Sequence, residues 1–303
     1  MRTAYLGTSE FAATVLRRLA ASPHKPSLVV TPPDSRRGRG RRELPPPAAE
    51  AAADLGLPLL QSANVNEEAA LARLRAAAPD AVVVCAFGQL IREPLLSDYP
   101  LLNVHPSLLP RWRGAAPIER AIMAGDAETG TCIMRLTAGL DSGPVALTER
   151  TAIDPDEDFA ALSERLAALS GELLVRALDL QTAGELEFAE QDESAVTYAE
   201  KIDPAERRID PARPAAAEAA RVRALTPHVG AYLELVGGER LGVKKAHAVR
   251  GAGVPGAAMT TEDGSLQIAC GDGFLQLDVV QPAGGKPMEA DAYLRGHELP
   301  ELA

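Results

Sequence analysis

The sequence predicts an α/β chain in two parts: a mostly parallel sheet with helices on both faces, then a smaller all-β region. Three observations carry this. The first half alternates near-continuous apolar runs with amphipathic stretches, the pattern of parallel strands buried on both faces. After about residue 181 the texture changes to short alternating segments with Gly-rich turns, as in a small barrel or sandwich. At 303 residues, with 46% apolar and 24% charged side chains, the chain can bury a substantial core. We therefore expect a Rossmann-like domain over 1–181, a polar connector over 182–205 and a small OB-like β-barrel over 206–303.

The elements follow in order. TAYLG (3–7) is the first strand, turning through Gly7-Thr8-Ser9 into a helix with apolar positions at Phe11, Val15, Leu16 and Leu19. SLVVT (27–31) is the second strand, and an Arg- and Pro-rich stretch (32–47) follows it. Helix 48–56, strand 57–60, helix 67–78, strand 81–87 and strand 101–104 continue the alternation. TCIMRL (131–136) and GPVALTERTAI (143–153) read as a hairpin-like pair. A helix with Phe159, Leu162, Leu166, Leu169, Leu173 and Leu174 on its apolar face closes the first part. The second part holds a short helix (215–224) and the segments AYLELVGG, RLGVKKAHAV, SLQIACGDG and FLQLDVVQPAG.

Several function classes are excluded or disfavoured. The formal net charge is −11 and the pI about 5.1, unlike a generic nucleic-acid coat protein. Cys85, Cys132 and Cys270 are odd in number and far apart, which suits buried thiols in a reducing compartment rather than disulfides. No CxxC or HExxH pattern is present, and no metal is expected. The apolar runs are too short for a membrane span, and the N-terminus has no signal-peptide architecture. We expect a cytoplasmic monomer. The first βα turn, GTSEF, has a lone glycine, so neither a dinucleotide fingerprint nor an NTPase phosphate loop is present.

The stretch that carries chemistry is LLNVHPSLLPRWRGAAPIERAI (101–122). Asn103 and His105, two residues apart on a strand, project from one face near its carboxyl end, where open α/β sheets bind ligands. Pro106 biases His105 toward extended backbone. Asp141 lies in the Gly-bracketed loop GLDSGP (139–144). An amide donor, an imidazole and a carboxylate suit acyl transfer. The first two can bind an oxyanion and the third can accept a proton. Ser107 lacks the GxSxG elbow, which favours direct transfer over an acyl-enzyme. Each residue also has a structural reading: a strand-end histidine hydrogen-bonds locally, and an aspartate in such a turn caps it.

NVHPSLLPRWRGAAPI, followed by GDAETGTCIMRLTAGLDSGP, resembles the 10-formyltetrahydrofolate-dependent formyltransferases, most closely those acting on initiator methionyl-tRNA. GTSEFA, TYAEKIDPAERRID (197–210), RALTPHVGAYLEL (223–235) and LQLDVVQPAGGKPM (275–288) extend the resemblance along the chain. It implies formyl transfer from 10-formyltetrahydrofolate to the methionyl α-amino group, with Asn103, His105 and Asp141 as the catalytic trio. It also implies a folate signature at Ser107, Leu108, Leu109 and Pro110. A pterin loop at Phe87, Gly88, Gln89 and Leu90 is implied as well, with Leu140 beside it. Arg111 and Arg113 are either anion contacts or surface ion pairs, and Trp112 reads as a packing residue. His228-Val229 stand where the resemblance places Trp-Pro.

Relatives that formylate sugar nucleotides or glycinamide ribotide, or that hydrolyse the folate, share the motif, and a non-enzymatic RNA-binding module is a further alternative. What favours tRNA is RRGRGRR (36–42), whose Arg36, Arg37, Arg39, Arg41 and Arg42 resemble a loop that enters the acceptor stem. The region 200–303 holds 12 Lys/Arg against 15 Asp/Glu, so RNA contacts there need a local patch. Arg221, Arg223, Lys244 and Lys245 are the candidates.

Overall fold

The computed structural model describes residues 1–37 and 42–303. They form two compact units. One comprises Met1–Gly114, Glu128–Ala152 and Ser163–Ala199; the other comprises Ala115–Ala127, Ile153–Leu162 and Glu200–Ala303.

In chain order the elements begin β1 (Thr3–Gly7), α1 (Glu10–Ala20), β2 (Pro26–Thr31), β3 (Ser35–Arg37), β4 (Arg42–Leu44), α2 (Pro47–Asp54) and β5 (Leu59–Gln61). There follow α3 (Glu68–Ala77), β6 (Ala81–Cys85), α4 (Leu95–Asp98), β7 (Leu101–His105), β8 (Arg113–Gly114) and α5 (Pro117–Ala124). Next are β9 (Glu128–Arg135), β10 (Val145–Ala152), α6 (Phe159–Ala183) and β11 (Tyr198–Ala199).

The first unit is built on a seven-stranded sheet of order β10-β9-β7-β6-β1-β2-β5. The five strands from β7 to β5 run parallel, while β9 and β10 are antiparallel additions beyond β7. Every residue of β1, β6 and β7 is buried, which is why these strands read as largely apolar runs, Asn103 and His105 of β7 being the polar exceptions near its carboxyl end. The order reverses between β1 and β6, so a ligand crevice is expected at their carboxyl ends. There Thr8 Oγ1 donates to the Phe87 carbonyl at 2.7 Å, tying the two following turns together. Gly7 is required by packing: a Cβ would come within 2.6 Å of the Tyr5 ring and 3.0 Å of the Ala12 Cβ. The lone glycine of GTSEF thus lets α1 approach β1. α1 starts at Ser9, whose hydroxyl accepts from Ala12 N–H. It buries Phe11, Val15, Leu16 and Leu19. Truncating a fully buried leucine such as Leu6 or Leu102 to alanine costs about 2–5 kcal/mol.

The second unit adds α7 (Ala215–Leu225), β12 (Ala231–Glu234), β13 (Arg240–Val249), β14 (Ala258–Thr260), β15 (Leu266–Ala269), β16 (Phe274–Gln281), β17 (Met288–Glu289) and α8 (Ala290–Leu294). Its sheet is antiparallel, ordered β12-β13-β16-β15-β14, with β17 on β16. Val222 and Leu225 of α7 share its core with Leu233, Val243, Ile268, Leu277 and Val280. The His228-Val229 corner is filled. The His228 ring stacks on Phe159 at 3.8 Å and its Nε2 lies 3.0 Å from Glu119 Oε1, while Val229 packs on the core.

Arg221 is corrected by the structure. It is buried, donates to the Glu206 carbonyl and lies 3.0 Å from Glu218 Oε2, so it is spent on the interior rather than presented to RNA. Glu218 is fully buried, with Arg213 Nε also 3.4 Å away, and burial pushes its carboxyl up to about 7. The three cysteines are free and buried, and burial raises the Cys85 thiol to about 12 and Cys270 to about 11.

Candidate active site

β7 carries Asn103 and His105 on one face, as the two-residue period requires. The backbone at His105 is held by buried polar partners: its carbonyl accepts from Ser107 N–H at 2.9 Å and from Thr131 Oγ1 at 3.3 Å. Thr131 in turn meets Ser170 Oγ at 2.7 Å. The chain then makes a tight turn through a cis Leu109-Pro110 peptide, closed by Ser107 Oγ donating to the Arg111 carbonyl at 2.7 Å. Trp112 sits in the left-handed region, φ 67°, and its carbonyl accepts from His105 Nε2 at 2.9 Å. A carbonyl can only accept, so Nε2 carries a proton and Nδ1 is the nitrogen left to work.

His105 Nδ1 faces the Asp141 carboxylate, 3.6 Å from Oδ2. That carboxylate accepts from Gly114 N–H at 2.9 Å and from Asn103 Nδ2 at 3.4 Å. Asn103, His105 and Asp141 therefore meet, although 38 residues separate Asn103 from Asp141. Asp141 itself has φ 44°. The loop packs closely on β9 at Gly143, where a Cβ would lie 2.0 Å from the Arg135 carbonyl.

The other sequence-predicted residues separate into groups. Leu90 and Leu140 are 63% and 62% exposed, large apolar side chains available to an aromatic ring. Gly88 has φ 78° and open space where a Cβ would stand. Phe87 is buried in the core, and the Gln89 amide is engaged with the chain, accepting from Val65 N–H at 2.8 Å and donating to the Ser62 carbonyl at 2.7 Å. Asn66 Nδ2 donates to the Leu90 carbonyl at 2.8 Å, so the segment 62–66 braces this loop at both Gln89 and Leu90. Ser107 is buried with its hydroxyl committed, whereas Leu108, Leu109 and Pro110 are partly exposed.

Arg113 takes the ion-pair alternative, with its own side chain buried and its partner Glu193 exposed. It is 3% exposed and donates to Gln191 Oε1 at 2.9 Å and to Glu193 at 2.7 and 3.3 Å. The guanidinium holds the Glu193 carboxyl below its usual range. Arg111 lies over the Trp112 ring at 4.2 Å. Sequence reasoning missed the segment from Ala189 to Ala199. Ala189 bridges Val145, Gln191 reaches the Asp141 loop, Thr197 Oγ1 accepts from Trp112 N–H at 2.9 Å, and β11 pairs with β8. Its polar, aperiodic sequence carries no signal for these contacts.

Of the arginine stretch, Arg36, Arg37 and Arg42 lie on the β3–β4 ladder, with Arg36 opposite Glu43; Arg39 and Arg41 fall outside the described residues. Among the described residues no group of three or more His, Cys, Asp or Glu is arranged to hold a metal, and no helix is long and apolar enough to cross a membrane.

A family model described as formyl transferase matches residues 1–178, and its C-terminal domain model matches 201–298. The chain belongs to the formyl transferase family. It is 43% identical to the methionyl-tRNA formyltransferase of Parvibaculum lavamentivorans, covering 99% of this chain and 98% of that one. The enzyme of that name from Delftia acidovorans is 42% identical, over 100% and 97% of the two chains. Solved structures share the fold at low identity. HypX from Aquifex aeolicus, in complex with tetrahydrofolic acid, gives a TM-score of 0.65 at 18% identity over 98% of this chain, which spans 47% of that one. The sugar 3N-formyltransferase WlaRD gives 0.67 at 13% identity, covering 94% and 99%.

Proposed function

We propose that this chain transfers the formyl group of 10-formyltetrahydrofolate to the α-amino group of methionyl initiator tRNA, in the cytoplasm. The observation that carries the reading is the meeting of Asn103, His105 and Asp141 at one point, with His105 Nδ1 left to work. The choice of acceptor is supported by end-to-end relatives of that name.

The folate supplies an activated formyl carbon on N10. The transfer forms one C–N bond to the amine, breaks the C–N10 bond, and moves one proton from the amine to N10. The site therefore needs a group that takes a proton and gives it back, with no net change. Asp141 is proposed as that group, directly or through one water. An α-amino group has an ordinary pKa of about 7.7–8, so only modest help is needed to free its lone pair. Asn103 Nδ2, and His105 Nδ1 when it carries the second ring proton, donate to the oxygen on which charge develops. Leu90 and Leu140 offer apolar contact to the pterin. Ser107 acts as a clamp that shapes the 108–110 turn, since its hydroxyl is already spent. Arg36, Arg37, Arg39, Arg41 and Arg42 are proposed to hold tRNA phosphates.

The test is direct. Purified protein with 10-formyltetrahydrofolate is offered methionyl initiator tRNA, methionyl elongator tRNA, and small amines including amino sugar nucleotides. Formylation of the initiator species well above the others is expected. Failure to formylate it, or preference for a free amine, ends the proposal.

A further inference from the structure

The Asp141 loop is held at both ends by one side chain that the reaction scheme above does not use. Gln191 Nε2 donates to the Asp141 carbonyl at 2.8 Å and to the Gly143 carbonyl at 2.7 Å, and Gln191 Oε1 accepts from Arg113 Nε at 2.9 Å. Carbonyls only accept and a guanidinium only donates, so this orientation of the amide is the one that gives each of its atoms a complementary partner. Arg113 is followed by Gly114, whose N–H donates to Asp141 Oδ2. The contacts close a ring: Asp141 main chain, Gln191, Arg113, Gly114, Asp141 carboxylate. Both the backbone and the carboxylate of Asp141 are thereby referred to the same two-residue strand, β8.

Asp141 needs such a restraint. It adopts φ 44°, a left-handed conformation that a non-glycine residue keeps only when its surroundings over-determine it. Gly139 and Gly143 flank it and offer little resistance to rearrangement. We propose that Gln191 is a positioning residue that fixes the Asp141 carboxylate beside His105 and Asn103, and so sets turnover rather than substrate affinity. The proposal rests on the formyl-transfer reading. Glutamate has the same reach but would turn acceptors toward two carbonyls, so the amide itself is required.

The test uses the full chain. Gln191→Met keeps the length and removes the polar atoms. Its kcat is expected to fall about tenfold to hundredfold, the scale of a small misplacement of a reacting group. KM for 10-formyltetrahydrofolate and for methionyl-tRNA should stay within about twofold. Gln191→Glu should lose at least as much, and it carries the same test if the methionine variant does not fold. In an Asp141→Asn background, followed by single turnover at high enzyme concentration, Gln191→Met should add little further loss, because the group it positions is gone. An equal loss in both backgrounds marks a general structural role and overturns the proposal. So does a raised KM with kcat intact. A wild-type chain that does not formylate sinks the formyl-transfer reading itself. A wild-type chain that does, beside a Gln191→Met variant at full kcat, sinks this inference alone.

Discussion

Asp141 is the residue on which the proposed chemistry turns. Its carboxylate accepts from Gly114 and Asn103 and faces His105, so neutral donors and an imidazole orient it. Asp141→Asn keeps an acceptor for Gly114 but cannot take a proton. We expect kcat to drop by about 10²–10⁴-fold with the thermal midpoint unchanged; near-normal turnover would remove Asp141 from the role. Glu218, in the other unit, poses a stability question. Its carboxyl titrates at about 7 when folded against 4.5 ordinarily. Between those values the folded chain keeps a proton that the unfolded chain has lost. Stability therefore falls as pH rises across that window, by up to about 1.4 kcal/mol per unit. Glu218→Gln does not titrate, so urea unfolding should show the variant gaining on wild type from pH 4.5 to 8; a difference independent of pH would contradict this. Legibility at this scale was uneven. That Asn103 and His105 share a face follows from strand periodicity, whereas their grouping with Asp141 was implied only by the family resemblance. Arg221 was misjudged because charge gives no sign of burial, and Gln191 had no pattern at all.

At the scale of elements, the parallel strands and the helices between them stand within a few residues of their expected positions, because buried strands and amphipathic helices write their environment into apolar spacing. The short elements do not. β3, β4, β8 and β11 were not foreseen, since two or three residues are too few to set a period, and neither was the eight-residue α5, which spans barely two turns. The stretch expected as a connector is bonded along its length, and it takes hold of the loops on either side of the trio. Thr197 shows what this is worth. Its hydroxyl accepts from Trp112 N–H, its carbonyl from Arg113 N–H, and its own N–H donates to the Pro110 carbonyl at 3.3 Å. Thr197→Val preserves shape and leaves Trp112 N–H without that acceptor, a loss of about 0.5–1.5 kcal/mol for a half-buried hydrogen bond. Since Trp112 also receives His105 Nε2, we expect a lowered unfolding midpoint in denaturant together with a reduced kcat. A change in only the first would mean the Trp112 turn does not need this anchor to aim His105.

Over the whole molecule, two charge patterns oppose each other. The formal net charge of −11 repels an RNA polyanion, whereas five arginines at 36–42 attract it locally. Salt separates the two because they act over different distances. At about 0.01 M ionic strength the Debye length is roughly 30 Å, and the tRNA feels much of the net charge. At about 0.1–0.15 M it is roughly 8–10 Å, so the distant carboxylates are screened while arginines within reach of a phosphate are not. Higher salt then weakens the contacts themselves through the lost gain from counterion release. The rate of tRNA use at limiting tRNA, kcat/KM, should therefore pass through a maximum at intermediate ionic strength. Changing all five arginines to alanine takes the net charge to −16 and removes the local attraction. That variant should be slower at every salt, rise with salt at the low end, and show a shallower decline at the high end, with KM for the folate unchanged. Measuring kcat/KM for methionyl initiator tRNA from about 10 mM to 0.5 M salt distinguishes the cases. A steady decline from the lowest salt would mean that the arginines face the RNA in a field of their own and that the acidic balance of the chain lies turned away from it. An arginine-free variant with the wild-type profile would remove residues 36–42 from tRNA recognition.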